Sequence, residues 1–321
     1  MARWNLRWRG QIVAIVVMGC VALVVHDFLT QWELDMLGPS GGGDAPSPLG
    51  EDELRVVTWN AWRLRESERV EGLVAAIDRV GGALAGGEER PELVTIQEIE
   101  SSEALRSLER WMSERGFFAA CRCATNPDGT LRSAVAIAVR SPLVVRAHEC
   151  IPLPGIFPDH PRCAVLARVV DEAGRDFDFI GVHLAWHVVN VSMANRLRRE
   201  LEARGALGAH TILAGDLNAW PGTRAFTRMS QPPLRDARPN AFPTHFLGRR
   251  LDYVLVGSDF EVIRGIHRRW SFDVFAPAAR FTLPQACVHE GPPACPISDH
   301  LPEAVVLRFR PLRDEGSSAE R

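Results

Sequence analysis

The residues of this chain that are able to carry out chemistry stand at the ends of short apolar runs. Carboxylates, amides and histidines occupy such positions in six places, namely Trp59-Asn60, Gln97-Glu98, His183, Gly215–Asn218, Asp252 and Ser298–His300. Adjacent strands of a sheet lie about 4.8 Å apart, so groups at one end of neighbouring strands converge on a single cleft. The sequence therefore predicts one polar site assembled from segments that are far apart in the chain.

Carboxylates dominate that predicted site. Glu98 is joined there by three aspartates, Asp216, Asp252 and Asp299. Such carboxylates repel one another unless a cation lies among them. Hard oxygen ligands select Mg²⁺ or a similar ion, which keeps several waters and binds through one or two carboxylates together with a substrate phosphate. We therefore expect Mg²⁺ as the cofactor, with Mn²⁺ and Ca²⁺ as alternatives.

Each of these segments also has an ordinary structural explanation when it is taken alone. Gly215–Asn218 can be a simple turn, because Asp and Asn both favour turns. Glu98 can be a carboxylate that faces a helix dipole, and Asp299-His300 can be a capping pair. His183 and His187 have the spacing of a zinc pair on a helix, but no Glu follows His183, and we interpret His187 as structural.

The hydrophobic pattern predicts the elements that must position these residues. Eight short β-rich runs bounded by polar or turn residues predict strands at Leu54–Trp59, Leu93–Gln97, Ala134–Val139, Ala164–Val170, Phe177–Val182, Thr211–Ala214, Asp252–Val256 and Glu303–Phe309. Apolar stripes with helical spacing predict helices around Val70–Ile77, Leu105–Met112 and Ala194–Leu201. Ser101 or Ser102 can cap the second helix, and Gly116 can end it. The fold class is therefore α/β (α+β), with packed mixed sheets flanked by helices.

The first 53 residues have a different composition. Three arginines within residues 1–10 precede the uncharged run Ile12–Val25, which predicts a signal anchor or transmembrane segment over residues 1–30. A cleaved signal peptide is the alternative, because the run is shorter than the roughly 20 residues that span a bilayer. Gly38–Pro48 is rich in Gly, Pro and Ser and predicts a flexible linker over residues 31–53.

This organisation predicts a catalytic domain over residues 54–311 and a disordered tail over residues 312–321. The positive residues before the apolar run favour a cytoplasmic amino terminus. The expected location is thus the cell membrane, with a monomeric catalytic domain on the extracytoplasmic side.

The cysteines are compatible with export. Cys20 lies in the apolar run, and six others follow at Cys121, Cys123, Cys150, Cys163, Cys287 and Cys295. Six cysteines permit up to three disulfides, with free buried thiols as the alternative. Cys287 and Cys295 flank a Pro/Gly-rich loop and are the favoured pair. A zinc site is disfavoured, because no second cysteine pair has zinc-like spacing.

The overall charge excludes a strongly basic nucleic-acid coat protein. The formal net charge is −3, the pI is about 6.4, and all 37 basic residues are arginine. A local basic groove stays compatible with this balance. Its candidates are Arg196, Arg198, Arg199, Arg249 and Arg250, and the alternative for the first three is a solvated helix face.

The six segments, in their order and context, resemble the endonuclease/exonuclease/phosphatase superfamily, whose fold is that of deoxyribonuclease I. The matching stretches cover the chain from about 54 to 309 and are Arg55–Trp62, Glu92–Glu98, Gly181–Leu184, Leu213–Asn218, Arg250–Leu255 and Ser298–Pro302. This resemblance implies a four-layer sandwich in which two β-sheets pack face to face with helices outside. It also implies hydrolysis of a phosphoester with a divalent metal.

The resemblance assigns a role to each residue of the site. Glu98 matches a metal ligand, and Asn60 and Asp299 match positions that support the metal. Asp216 and Asn218 match the pair that orients or deprotonates the attacking water. Asp252 matches the carboxylate that hydrogen-bonds the last histidine, His300, and His183 matches the other phosphate-facing histidine. Arg140 lies near a segment where the family often has an arginine.

Electrostatics suggests how these roles divide. An adjacent carboxylate favours imidazolium, so His300 beside Asp252 can stay protonated and stabilise the charge of the transition state. Asp216 is then the expected base for water, oriented by Asn218. The reverse assignment, with His300 as the base, stays open.

Three functions fit these observations. The first is an exported, membrane-tethered phosphodiesterase acting on a phospholipid head group or another small diester, because a tether places the enzyme near lipid. The second is an extracytoplasmic nuclease that cleaves DNA or RNA and needs a basic groove. The third is a catalytically silent binding domain, which the full set of site residues disfavours. The loops Leu153–Pro161 and Trp270–Pro296 are expected to shape specificity.

Overall fold

The computed structural model describes residues 52–310 except 66, 86–90, 122–130, 132, 154–160, 187–188, 242–243, 246–248, 266–297, 299 and 301. All of them belong to the compact unit that spans Ala45–Arg321. The predicted apolar segment and tail lie outside the described residues, as do the predicted linker up to residue 51 and Cys20, Cys123, Cys287 and Cys295. Within the described part, no helix is both long enough and apolar enough to cross a membrane.

The first sheet has six strands in the order β11-β12-β1-β2-β4-β3. Its members are β1 (Glu53–Leu64), β2 (Leu93–Ile99), β3 (Phe117–Cys121), β4 (Ala134–Arg140), β11 (Phe260–Gly265) and β12 (Glu303–Phe309). Only the central pair β1–β2 is parallel, with Val56 beside Leu93 and Asn60 beside Gln97. All other pairs are antiparallel, so the sheet is mixed.

The second sheet repeats this plan with the order β5-β6-β7-β8-β10-β9. Its strands are β5 (Val144–Leu153), β6 (Arg162–Val170), β7 (Asp176–His183), β8 (Thr211–Asp216), β9 (Arg235–Asp236) and β10 (Asp252–Val256). The central pair β7–β8 is parallel, and the remaining pairs are antiparallel. Each sheet therefore brings the carboxyl ends of two neighbouring strands to one edge.

Helices cover the outer face of each sheet. They are α1 (Ser67–Ala85), α2 (Ser102–Glu114), α3 (Val189–Ala203) and α4 (Arg224–Met229). One hydrophobic cluster joins α1 and α2 to the first sheet, a second fills the space between the sheets, and a third joins α3 and α4 to the second sheet. These three apolar layers confirm the predicted four-layer sandwich of two mixed sheets.

The predicted strands and helices are all present, and the ends of α2 show why the pattern was informative. The hydroxyl of Ser101 accepts a hydrogen bond from the Ala104 N–H and caps the helix, as expected of a serine at this position. Gly116, with a φ of +72°, follows the helix end. The burial of Leu105, Leu108 and Met112 on one face anchors the helix to the sheet.

Four strands and one helix were not predicted, namely β3, β5, β9, β11 and α4.

The expectation of up to three disulfides also changes, because Cys163 on β6 is a buried free thiol. A full set of three disulfides among the six cysteines is therefore not formed. Cys150 lies exposed on β5.

Candidate active site

The two sheets deliver seven of the eight predicted site residues to one cleft. The first sheet contributes Asn60 and Glu98 from β1 and β2. The second contributes His183, Asp216 and Asp252 from the ends of β7, β8 and β10, which are consecutive strands. Asn218 follows β8, and His300 precedes β12. Asp299 lies outside the described residues, and so does His187.

Glu98 reaches the cleft through an irregularity in β1 and β2. The register of the two strands shifts between Asn60 and Leu64, and Trp62, Arg63 and Glu98 all have positive φ. Left-handed backbone is costly for such residues, and it concentrates at functional sites. The Glu98 Oε2 atom accepts a hydrogen bond of 3.0 Å from the Arg63 N–H, and Oε1 accepts one of 3.2 Å from Asn60 Nδ2.

Asp216 is the last residue of β8 and is buried beside Asn60 and Glu98. Its Oδ2 accepts a hydrogen bond of 2.9 Å from the same Asn60 Nδ2, and its Oδ1 accepts one of 2.7 Å from the Asn218 N–H. The side-chain amide of Asn60 therefore bridges two carboxylates from different sheets. Gly215 makes the position possible, because a Cβ there would lie 2.0 Å from the carbonyl oxygen of Val182.

His183 is held as a neutral imidazole. Burial lowers its pKa well below the ordinary histidine value, and the positive charges of Arg162 and His300 act in the same direction. Its Nε2 lies 3.2 Å from Asn218 Nδ2, an amide donor, and its Nδ1 lies 3.0 Å from Ser133 Oγ. These partners assign the ring proton to Nδ1, where it is donated to Ser133.

Asp252 and His300 form the other half of the site. Asp252 lies directly opposite Asp216 in the β8–β10 ladder, and its Oδ2 is 2.7 Å from His300 Nδ1. The carbonyl oxygen of His300 accepts a hydrogen bond of 2.9 Å from Trp59 Nε1, and its N–H donates to Ser298 Oγ. These bonds fix the histidine between the two sheets.

The electrostatics of the cleft show a deficit of positive charge. Burial raises the pKa of Asp216 to about 7, and the neighbouring negative charge of Asp252 adds to the effect. Asp252 Oδ1 is buried without a hydrogen-bond partner. Among the described residues, no arginine pairs with Glu98, Asp216 or Asp252. The basic side chains within 4 Å of them are His183, beside Glu98 and Asp216, and His300, beside Asp252.

The cleft contains side chains that could bind a divalent cation. One ligand atom from each of Asp216, Asp252 and His300 lies within 4.8 Å of the others. An orphaned carboxylate oxygen and hard oxygen donors fit an ion such as Mg²⁺. His300 Nδ1 is the weakest candidate ligand of the three, because it is already engaged by Asp252 at 2.7 Å. Glu98, one-fifth exposed, presents a further carboxylate beside Asp216 through their shared Asn60.

Three of the arginines considered from the sequence make contacts outside the cleft. Arg140 pairs with Glu92 at the opposite end of β2 from Glu98, so it is not part of the cleft. Arg198 is buried and donates to backbone carbonyls after α4, and Arg250 is buried against Asp236. The expected basic groove therefore loses Arg198 and Arg250 to internal contacts.

Three residues that support the site were not predicted. Ser133 binds His183, Ser298 anchors His300, and Thr244 Oγ1 accepts from the Asp252 N–H at 3.1 Å. Ser133 lies just before β4, where a polar residue at a strand end is the same signal that identified the others. Thr244 lies in an irregular segment, where sequence offers no comparable signal.

This chain belongs to the endonuclease/exonuclease/phosphatase family, whose sequence model matches residues 57–300. Endonucleases, exonucleases and phosphatases all hydrolyse phosphoester bonds, so the family implies a phosphoester hydrolase. The recognition of the family from its six segments is thereby confirmed. None of the curated proteins matches the chain significantly.

Solved structures share the fold at low sequence identity. An endonuclease/exonuclease/phosphatase family protein from Bacteroides thetaiotaomicron is 18% identical with a TM-score of 0.59, and the match covers 81% of this chain and 98% of that one. The human nocturnin catalytic domain with a bound sulfate anion is 15% identical with a TM-score of 0.58, covering 82% and 96%. A mannosyl-6-phosphatase from Bacteroides thetaiotaomicron VPI-5482 is 18% identical with a TM-score of 0.56, covering 80% and 100%.

Proposed function

We propose that this protein is a divalent-metal-dependent phosphodiesterase. The observation that carries the proposal is the cluster of Glu98, Asp216 and Asp252, which is buried or nearly so and has no arginine counter-charge in the described structure. Carboxylates in such surroundings need a cation, and a phosphoester binds where a cation and hydrogen-bond donors meet. The family supports the same class of reaction.

The residue that would hold the metal is Glu98, with Asn60 as the supporting amide and Asp299 as the predicted further carboxylate. The preferred ion is Mg²⁺, because the donors are hard oxygens. When bound, it would supply positive charge that neutralises the phosphate oxygens. His300 would stay outside this set, since its Nδ1 already binds Asp252 Oδ2, whereas the buried Oδ1 of Asp252 has no hydrogen-bond partner and could face the ion.

Asp216 is the residue that would accept the proton of the attacking water. Its Oδ1 is oriented by the Asn218 N–H, so the carboxylate is held in one position. In the reaction the water oxygen forms a bond to phosphorus, its proton passes to Asp216, and the bond to the leaving oxygen breaks. The leaving oxygen then takes a proton from solvent.

His300 and His183 would have different roles. His300 beside Asp252 favours the protonated form and donates from Nε2 to a phosphate oxygen. The alternative is that His300 accepts the water proton instead. His183 is neutral, and its position next to Asn218 suits a role in orienting that amide toward the substrate.

The composition of the first 53 residues suggests where in the cell the enzyme would act. Their composition favours an exported domain tethered to the membrane, which would place the cleft near phospholipid head groups or other small diesters. The direct test is fractionation of cells expressing the full chain, followed by protease treatment of intact cells. A membrane-bound, protease-accessible domain would support the tether, whereas a protected domain in the soluble fraction would contradict it.

The activity itself is tested with the full chain in detergent on bis-p-nitrophenyl phosphate, a diester, and p-nitrophenyl phosphate, a monoester. We expect Mg²⁺-dependent cleavage of the diester that EDTA abolishes and added Mg²⁺ restores. Faster cleavage of the monoester would make the protein a phosphatase instead. Equal rates with and without EDTA would contradict the metal-dependent proposal.

A further inference from the structure

A second group of residues continues the active-site edge beyond the catalytic cluster. Trp186 follows His183 by three residues, Trp220 follows Asn218 by two, and Arg249 precedes Asp252 by three. These three positions therefore extend the neighbouring strands β7, β8 and β10 at the same end as the site. We call Trp186, Trp220 and Arg249 the indole–arginine platform.

The platform is held together by stacking. The guanidinium carbon of Arg249 lies 4.4 Å from the centre of the Trp220 ring and 5.8 Å from that of Trp186. Cation–π contacts of this kind restrain an arginine while leaving its N–H groups free to donate. Trp220 is 42% exposed, and Arg249 is also exposed, so the platform faces solvent.

The backbone beneath the platform is also fixed. The Arg249 carbonyl oxygen accepts hydrogen bonds from the N–H groups of Thr244 and His245. The buried hydroxyl of Tyr253 lies 2.8 Å from the carbonyl oxygens of both Ala219 and Arg250, and thus ties together the segments that carry Trp220 and Arg249. A mobile surface arginine has no such support.

A chain of rings connects the platform to the catalytic histidine. The His245 ring lies 6.4 Å from Trp186 and 4.8 Å from His300, measured between ring centres. His245 and His300 are also joined by a short β-bridge. A substrate whose phosphate sits at His300 would therefore extend its next group toward Arg249.

The guanidinium of Arg249 has no partner of opposite charge in the part of the chain that the structure describes. Its neighbour Arg250 shows the contrast, because its guanidinium is buried in contacts with Asp236. An arginine that is stacked, fixed and unpaired beside a phosphoesterase site is suited to a phosphate, which it can bind through two N–H groups.

We propose that the indole–arginine platform is a second anion subsite that binds a second phosphate of the substrate, next to the phosphate that is cleaved. This inference rests on the proposed phosphodiesterase function and narrows its substrate class. Substrates with two neighbouring phosphates fit it, whereas a cationic head group such as choline would face the positive charge of Arg249. The second phosphate can come from a nucleic-acid chain or from a phosphorylated inositol lipid.

A matched pair of substrates tests the subsite. Thymidine 5′-(p-nitrophenyl phosphate) carries one phosphodiester, and its 3′-phosphorylated form carries the same diester and a second phosphate. We expect the full chain with Mg²⁺ to prefer the 3′-phosphorylated form by about tenfold or more in kcat/KM, since a charge-assisted hydrogen bond contributes roughly 1.5–3 kcal/mol. The difference should appear mainly in KM.

Four variants and a control test whether the platform causes that preference. Arg249→Gln should reduce the preference to about one, and Arg249→Lys should keep part of it, because lysine retains the charge without the planar fork. Trp220→Ala should weaken it and Trp220→Phe should preserve it, as expected if stacking positions the guanidinium. The control is Arg146→Gln, since Arg146 is an exposed arginine on β5 that pairs with Asp176, and its preference should equal that of the wild type.

Binding without turnover gives an independent measurement. Calorimetry of thymidine 3′,5′-bisphosphate and thymidine 5′-phosphate should show tighter binding of the bisphosphate to the wild type, and Arg249→Gln should remove the difference. Equal binding of both ligands, or a preference that Arg249→Gln leaves unchanged, would overturn the subsite. If the wild type cleaves neither nitrophenyl substrate, the proposed function itself is wrong, and the subsite proposal is withdrawn with it.

Two natural-type substrates then identify the source of the second phosphate. One arm uses a single-stranded thymidine oligonucleotide, and the other uses phosphatidylcholine vesicles containing phosphatidylinositol 4-phosphate. If Arg249→Gln lowers the rate of cleavage about tenfold or more in one arm, the substrate of that arm is the source of the second phosphate. If Arg249→Gln lowers the rate in neither arm, the proposal is contradicted.

Discussion

The two ends of β2 carry glutamates that the protein treats in opposite ways. Glu92, just before the strand, is buried and bound by the guanidinium groups of Arg55 and Arg140 from the neighbouring strands β1 and β4. Glu98, near the other end, has an amide and a backbone N–H as its donors. The first carboxylate is neutralised inside the fold, whereas the second depends on a charge from outside it.

This difference separates structural from functional charge. A buried ion pair with both partners present contributes to a folded sheet edge, and removal of one partner leaves a costly unpaired charge. The cleft at Glu98 gathers Asp216 and Asp252 without an arginine partner among the described residues, and the basic groups beside the three carboxylates are two histidines. Burial raises the pKa of Asp216 to about 7. The same strand thus has one end whose charge is neutralised within the fold and one end where we propose that a cation and an anionic substrate bind.

The largest expected effect is on activity at the Glu98 end. Glu98→Gln and His300→Ala should each lower kcat/KM for a phosphodiester by about 10²- to 10³-fold, because each removes charge stabilisation of the transition state. The control is Glu100→Gln, since Glu100 lies on the same segment but pairs with the exposed Arg65. Near-wild-type rates for Glu98→Gln with an unchanged melting temperature would refute the site.

The opposite result is expected at the Glu92 end. Glu92→Gln should lower the free energy of unfolding by about 3–5 kcal/mol, because it leaves the buried guanidinium of Arg55 without its carboxylate. Urea unfolding measures this loss, and kcat/KM corrected for the folded fraction should stay within a few-fold of the wild type. A large loss of activity without loss of stability would show that the two ends are not separated as described.

The effect of Mg²⁺ on stability should depend on pH. A carboxyl whose pKa rises from 3.8 to about 7 on folding holds its proton in the native state, so its contribution to stability is lost as pH rises from about 4 to about 7. A Mg²⁺ ion held at Glu98 would favour the ionised form of the neighbouring Asp216, so its stabilisation should grow over the same range. Melting temperatures with Mg²⁺ and with EDTA should differ by several degrees at pH 8 and little at pH 5.5.

The smallest expected effect concerns His183. Ser133→Ala removes the partner of Nδ1 and should lower kcat about fivefold, as expected for the loss of a neutral hydrogen bond of about 1 kcal/mol. Ser133→Gly also removes the hydroxyl but suits the left-handed backbone at this position, where φ is +54°, and should give the same loss. Wild-type rates for both variants would show that the hydrogen bond does not position His183.

The residues of the candidate site were easier to predict from the sequence than the edge strands of the sheets. Strand-end residues such as Asn60, Asp216 and Asp252 follow or open strongly apolar runs, so their convergence follows from sheet geometry. By contrast, only Ile151 and Leu153 are buried among the ten residues of β5, and an edge strand without alternation leaves no pattern to detect. The short strand β9 and helix α4 are likewise too brief for a periodic signal.

Other features depend on long-range contacts that no local pattern encodes. The positive φ angles of Trp62, Arg63 and Glu98 occur at residues with no preference for left-handed backbone, so the register shift in β1 was not foreseeable. The burial of Arg198 and Arg250 could not be predicted either, because the sequence does not distinguish a buried arginine from an exposed one. Their partners come from segments that only the folded sheets bring together.

The central claim, that the Glu98 end of β2 receives a divalent cation, is tested most directly by calorimetric titration of Mg²⁺ into wild type, Glu98→Gln and Glu100→Gln proteins. We predict saturable binding to the wild type, an equal affinity for Glu100→Gln, and an affinity at least tenfold weaker for Glu98→Gln. Equal Mg²⁺ affinity in all three proteins, or no binding to the wild type, would contradict the account.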